Sequence, residues 1–139
     1  MSQEEPRYGT DDTSFRAAGG EQGVRALIDA FYAEMDTLPE ARGIRAMHPA
    51  NLEISADKLT RFLCGWLGGP NLYAERYGRI VIPLAHRHLA IGPTERDTWL
   101  VCMKRALAAQ PYPAEFKAYL LAQLSLPAER IRSACEDSP

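Results

Sequence analysis

Cysteine is sparse in this chain of 139 residues. Cys64, Cys102 and Cys135 are widely spaced and odd in number, which argues against a disulfide framework and against a zinc ribbon. No apolar run approaches the ~20 residues needed to cross a bilayer. The opening Met1-Ser2-Gln3-Glu4-Glu5-Pro6 lacks the basic and apolar regions of a secretory signal. An excess of positive charge is missing as well. The 16 basic and 18 acidic residues leave a net charge of −2, without the electrostatic footprint of a nucleic-acid binder. There is no repeat, and the Gly-Gly pairs lack the lysine and the serine or threonine that a phosphate loop requires. These absences predict a cytoplasmic protein with neither a nucleic-acid nor a membrane partner.

What is present suits a single folded domain. Hydrophobic residues at 46% and charged residues at 24% argue against disorder over most of the length. A chain of this size buries roughly two-thirds of its unfolded surface, enough for one core and a small-molecule pocket. Residues 1–13 are polar and read as a flexible arm, leaving 14–139 as the domain.

The periodicity within that domain is helical. Phe15–Gly20 reads as a short helix stopped by two glycines. From Glu21, the residues Val24, Leu27, Ile28, Phe31, Tyr32 and Met35 form one stripe that ends at Pro39. A short turn of helix is expected over 40–47. Ser55 reads as the cap of a helix with Leu59, Phe62, Leu63 and Trp66 on one face, ended by Gly68-Gly69-Pro70. Shorter stretches follow at 73–77 and 83–88. Pro93 opens a long helix whose inward stripe is Trp99, Cys102, Met103, Ala106 and Leu107. A last helix carries Phe116, Tyr119, Leu120 and Leu124, with Pro127 expected to kink or restart it. The only β-branched run, Ile80-Val81-Ile82, is short and has no pairing candidate. The fold class is all-α.

Of the three histidines, two stand in Ala85-His86-Arg87-His88. Residues two apart on a helix point about 200° from one another, so His86 and His88 cannot share a pocket. Ile82 and Leu89 lie on the face of His86, which makes it the inward one. In an arbitrary chain, such a histidine is more often a hydrogen-bonded core residue. As a metal ligand, a lone imidazole makes a poor zinc site but suits haem iron, to which the porphyrin already supplies four nitrogens.

Several segments, in order and at matching distances, are similar to the group II truncated haemoglobins. They are Gly19-Gly20, Phe31-Tyr32, His48-Pro49, the block Phe62-Leu63-Cys64-Gly65-Trp66-Leu67-Gly68-Gly69-Pro70 with Tyr73, then Gly78, His86, Ile91, Glu95-Arg96-Asp97-Thr98-Trp99-Leu100 and Cys102-Met103. The agreement runs from about Phe15 to about Leu124. The resemblance implies a two-over-two helical sandwich around haem b. It implies that His86 is the proximal iron ligand, that Tyr32 and Trp99 are the distal tyrosine and tryptophan, and that His48 is a further polar distal residue. It puts Ser55 at the gate over the iron and Leu59 and Phe62 against the porphyrin. Lys58 and Tyr73 would meet the propionates. The chain departs from the commoner pattern just after the ligand, with His88 and Leu89 where many relatives carry Pro-Phe, and with Ala85 where arginine is frequent.

Trp99 can only donate a hydrogen bond, whereas Tyr32 and His48 can donate or accept. Three polar contacts to oxygen or another diatomic ligand are therefore expected, with slow ligand release. His48 and Tyr32 are also candidates for an internal sixth ligand of ferric iron. Three functions remain open: oxygen binding as a carrier, store or sensor; nitric oxide dioxygenation or peroxide reduction served by an external reductase; and a cofactor-free helical interaction domain. Oligomeric state is not legible. The purified protein is expected to be red, with a strong band near the visible–ultraviolet boundary that His86→Ala loses. A colourless protein that stays colourless with added hemin would eliminate both haem functions.

Overall fold

The fold was analysed in a computed structural model, which describes residues 8–79, 89 and 91–136. Every regular element among them is helical: α1 (Thr13–Ala17), α2 (Gly20–Thr37), α3 (Arg42–Ala46), α4 (Glu53–Trp66), α5 (Leu72–Tyr77), α6 (Pro93–Ala108) and α7 (Ala114–Glu136), with a tighter turn at Pro39–Ala41 between α2 and α3. The helical stretch expected at 83–88 and the run 80–82 lie outside the described residues. No helix among the described residues is long and apolar enough to cross a membrane.

The central element is α2, which packs on α4 on one side and on α6 on the other, while α6 packs on α7. Its six expected stripe residues, from Val24 to Met35, are all buried. Burying a large aliphatic or aromatic side chain contributes roughly 1.5–3 kcal/mol, so this stripe is the largest single source of cohesion. On α6 the expected Cys102, Met103, Ala106 and Leu107 are buried together with Thr98, and Trp99 is half-buried against the core. Burial raises the thiols of Cys64 and Cys102, the latter to about 11. Both therefore stay protonated and behave as small core groups.

The entry to α2 is set by close approach. Gly19 turns the chain with φ 86°, and a Cβ on Gly23 would fall 1.8 Å from the Ala18 carbonyl oxygen. The Tyr112 hydroxyl donates across this corner to the carbonyls of Ala18 and Gly23, each at 3.1 Å. The short helix expected at 15–20 instead runs Thr13–Ala17, and Gly20 already belongs to α2. Residues 8–12, the inner end of the segment read as an arm, are held on the fold: the Tyr8 ring lies 5.0 Å from Phe116 and 5.1 Å from Tyr119.

Helix α4 differs from expectation in two respects. It starts at Glu53, whose amide donates to Asn51 Oδ1 at 2.9 Å, so Ser55 lies inside the first turn rather than at the cap. Its buried face is Thr60, Leu63, Cys64 and then Leu67. Leu59 and Phe62 are half-buried on the neighbouring stripe, and Trp66 is 37% exposed. A shift of one residue rotates a helix by about 100°. Turning one apolar stripe to α2 therefore leaves the other, which also holds Ser55, at the edge of the core.

At the far end, Glu129 of α7 accepts from Arg96 of α6 and from Arg132, whose Nε lies 2.8 Å from it. These bonds hold its carboxyl down at about 2. Helix α7 runs through Pro127 without interruption, so the proline neither ends nor restarts it.

One buried polar atom stands out. Thr60 Oγ1 is fully enclosed and has no hydrogen-bond partner among the described residues. Leaving a hydroxyl unsatisfied costs about 1–3 kcal/mol. Thr60→Val keeps the shape and is expected to stabilise the protein by about 1 kcal/mol, measured by chemical denaturation. A loss of stability would mean that the hydroxyl is satisfied.

Candidate functional site

Two neighbouring residues of α2 divide the work between core and site. Phe31 is buried between the helices, with its ring centroid 5.0 Å from Tyr32 and 5.1 Å from Trp99 of α6. Tyr32 reaches 5.6 Å from the His48 ring in an edge-on contact. Three of the expected distal residues, Tyr32, His48 and Trp99, are thus brought together by α2, α6 and the turn after α3.

That turn is clamped by a residue that sequence reasoning missed. Arg45 donates to Asp36 on α2 at 2.5 Å, to the Pro49 carbonyl at 2.9 Å and to the Ala50 carbonyl at 3.0 Å. Its guanidinium therefore fixes the chain on both sides of His48. The imidazole is fixed too, since its Nδ1 lies 2.8 Å from the Ile44 carbonyl oxygen. A carbonyl can only accept, so Nδ1 carries a proton and donates it there.

Tyr32 is only 8% exposed. Burial pushes its hydroxyl up to about 12, and no hydrogen bond among the described residues offsets this. The phenol is therefore neutral and carries an uncommitted proton.

The remaining candidates lie along α4 and α5. Ser55, Leu59 and Phe62 share the edge stripe of α4 and are half-buried, with Leu59 and Phe62 packed against the core. Lys58 is exposed, and its ammonium lies 5.3 Å from the centre of the Tyr77 ring on α5. Tyr73, half-buried, packs its ring 5.1 Å from the same Tyr77, tilted by 45°. The Tyr77 hydroxyl donates to Asp57 at 2.6 Å, and Asp57 also accepts from Arg61 at 2.9 Å and from Arg25 at 3.3 Å. Burial alone would raise the Asp57 carboxyl. The bonds from Tyr77, Arg61 and Arg25 outweigh burial and hold it below the usual carboxylate range. Neither Asp57 nor Tyr77 stood out in the sequence. The only local signs were the spacings of Asp57 to Arg61 and Tyr73 to Tyr77, each four residues and one helical turn.

His86 and His88 lie outside the described residues. Among the described residues, the groups present suit haem: an apolar edge on α4, polar rings from three elements, and a cation with a phenol at the α4–α5 end for acidic substituents.

The fold and this arrangement define an all-α globin of the two-over-two kind. A family model described as bacterial-like globin matches residues 13–132. The group 2 truncated hemoglobin YjbI of Bacillus subtilis (strain 168) is 31% identical over 117 residues, covering 84% of this chain and 86% of that protein. The group II 2-on-2 hemoglobin of Agrobacterium tumefaciens matches with a TM-score of 0.82 and 39% identity, over 95% of this chain and 98% of that one. The truncated oxygen-avid haemoglobin from Bacillus subtilis matches with a TM-score of 0.77 and 30% identity, over 85% of this chain and 97% of that one. The chain belongs to the bacterial-like globin family, as a group II truncated haemoglobin. It is a haem-binding globin of a family that takes diatomic gases.

The Tyr32 environment predicts alkaline behaviour. Its hydroxyl ionises at about 12 when folded and near 10.0 when unfolded. Below about 10 both states keep the proton, and the group adds no pH dependence. Between about 10 and about 12 only the unfolded state loses it, so stability falls by about 1.4 kcal/mol for each pH unit. Unfolding of the haem-free protein across this range should show a slope about one proton shallower in Tyr32→Phe than in the wild type. An equal slope would place the Tyr32 hydroxyl in water.

Proposed function

We propose that this globin binds oxygen reversibly, as a carrier, store or sensor in the cytoplasm, at haem b held by His86. The observation that carries this reading is the pairing of a buried, uncommitted phenol with an indole whose ring lies against the same Phe31. Haem b, when bound, supplies a ferrous iron at which a diatomic gas binds. Leu59 and Phe62 would line its apolar face, Ser55 would stand at the gate, and Lys58 and Tyr73 would take its propionates.

The chain's own part is to hold donors in a dry place. The Trp99 indole can only give a hydrogen bond, and the Tyr32 hydroxyl has its proton to give. Both are worth more beside buried apolar groups than in water. His48 directs its Nδ1–H at the Ile44 carbonyl and sets its ring edge-on to Tyr32, as the third polar group of this pocket. The oxygen-avid character of the Bacillus subtilis relative agrees with a two-donor pocket.

A hydrogen bond to a charged acceptor contributes about 1.5–3 kcal/mol. Trp99→Phe and Tyr32→Phe are each expected to speed oxygen release about tenfold or more in stopped-flow displacement, and the double variant by about a hundredfold. His48→Phe should act less than either. An unchanged off-rate in Trp99→Phe would overturn the donor assignment.

A further inference from the structure

Helix α5 is short, at six residues, and buries none of them completely. A helix of that length does not hold itself together in water, so its position depends on what ties it to the rest of the fold. The tie is Tyr77. Its ring touches both Lys58 of α4, at 5.3 Å from the ammonium, and Tyr73, at 5.1 Å between centroids. Its hydroxyl is bound to Asp57 at 2.6 Å, and Asp57 is gripped from α2 by Arg25 and from its own helix by Arg61.

We propose that Tyr77, latched to Asp57, is the positioning residue that holds Lys58 and Tyr73 together as a receptor for the carboxylates of the haem edge. This rests on the reading of that pair as the propionate contacts. The charge balance permits it. A carboxylate so near another would normally be repelled, but Arg25, Arg61 and Arg76 stand 3.3, 2.9 and 3.7 Å from Asp57 and more than neutralise it. Tyr77 does not itself offer a hydrogen bond to the haem, because its proton goes to Asp57, which also raises the Tyr77 hydroxyl above its ordinary range. What it offers is placement. The long stem of Lys58 is exposed and has many rotamers, and the face of the Tyr77 ring selects those that keep the ammonium on the ring against which Tyr73 also packs.

The test compares the rate at which hemin, and hemin with both propionates esterified, pass from the loaded protein to an excess of a scavenging globin. Wild type is expected to hold hemin longer than the diester. Tyr77→Phe keeps the ring and loses the latch. It should speed hemin loss about fivefold and leave diester loss unchanged, narrowing the gap. Asp57→Ala should do the same, the Tyr77→Phe/Asp57→Ala double variant should be no faster than either alone, and Asp57→Asn, whose amide oxygen still accepts the phenol, should restore most of the gap. Equal acceleration of both porphyrins by Tyr77→Phe, or none of either, would overturn the proposal. Failure of the underlying reading has a separate signature: Lys58→Met/Tyr73→Phe would then keep the full wild-type gap.

Discussion

Helix α2 meets two demands with adjacent residues. Phe31 is fully buried against Trp99 of α6, and Tyr32, about 100° further round the helix, lies beside it with its ring nearly buried. Because Phe31 also touches Trp99, the ring that anchors the core sets the spacing of the Tyr32 and Trp99 rings. The site is therefore as rigid as the core beneath it. That rigidity suits a pocket that holds a ligand by a few directed hydrogen bonds, where a small displacement weakens them steeply.

Helix α4 shows what a binding edge costs a small protein. It carries two apolar stripes but can turn only one of them fully into the core. Thr60, Leu63, Cys64 and Leu67 take that position, while Leu59 and Phe62 stay half-covered beside it. Apolar side chains in that state are a binding surface, because a flat apolar molecule laid on them removes area that folding left in water. A ring-shaped cofactor of the globin kind meets that requirement.

Charge is used locally. The chain as a whole is nearly balanced, yet Asp57 gathers three arginines and a phenol from three helices, and Glu129 joins Arg96 to Arg132 at the opposite end. Pairs this exposed contribute little singly. Their value here lies in joining short or terminal elements, α5 and the end of α7, that have few buried residues to hold them.

The sequence by itself determined the all-α class, the family and the buried stripes of α2 and α6, because helical periodicity is written in residues three and four apart. It also marked Tyr32, His48 and Trp99 as one group, by likeness to relatives rather than by anything local to them. The tertiary structure alone decided which stripe of α4 faces the core, since both are apolar and only the shape of α2 chooses between them. It decided that the His48 Nδ1–H donates to the Ile44 carbonyl, because that depends on where this carbonyl points. It also decided that Asp57 and Tyr77, 20 residues apart, meet at hydrogen-bond distance. Contacts of that kind come from the packing of whole helices, and no periodicity within either helix encodes them.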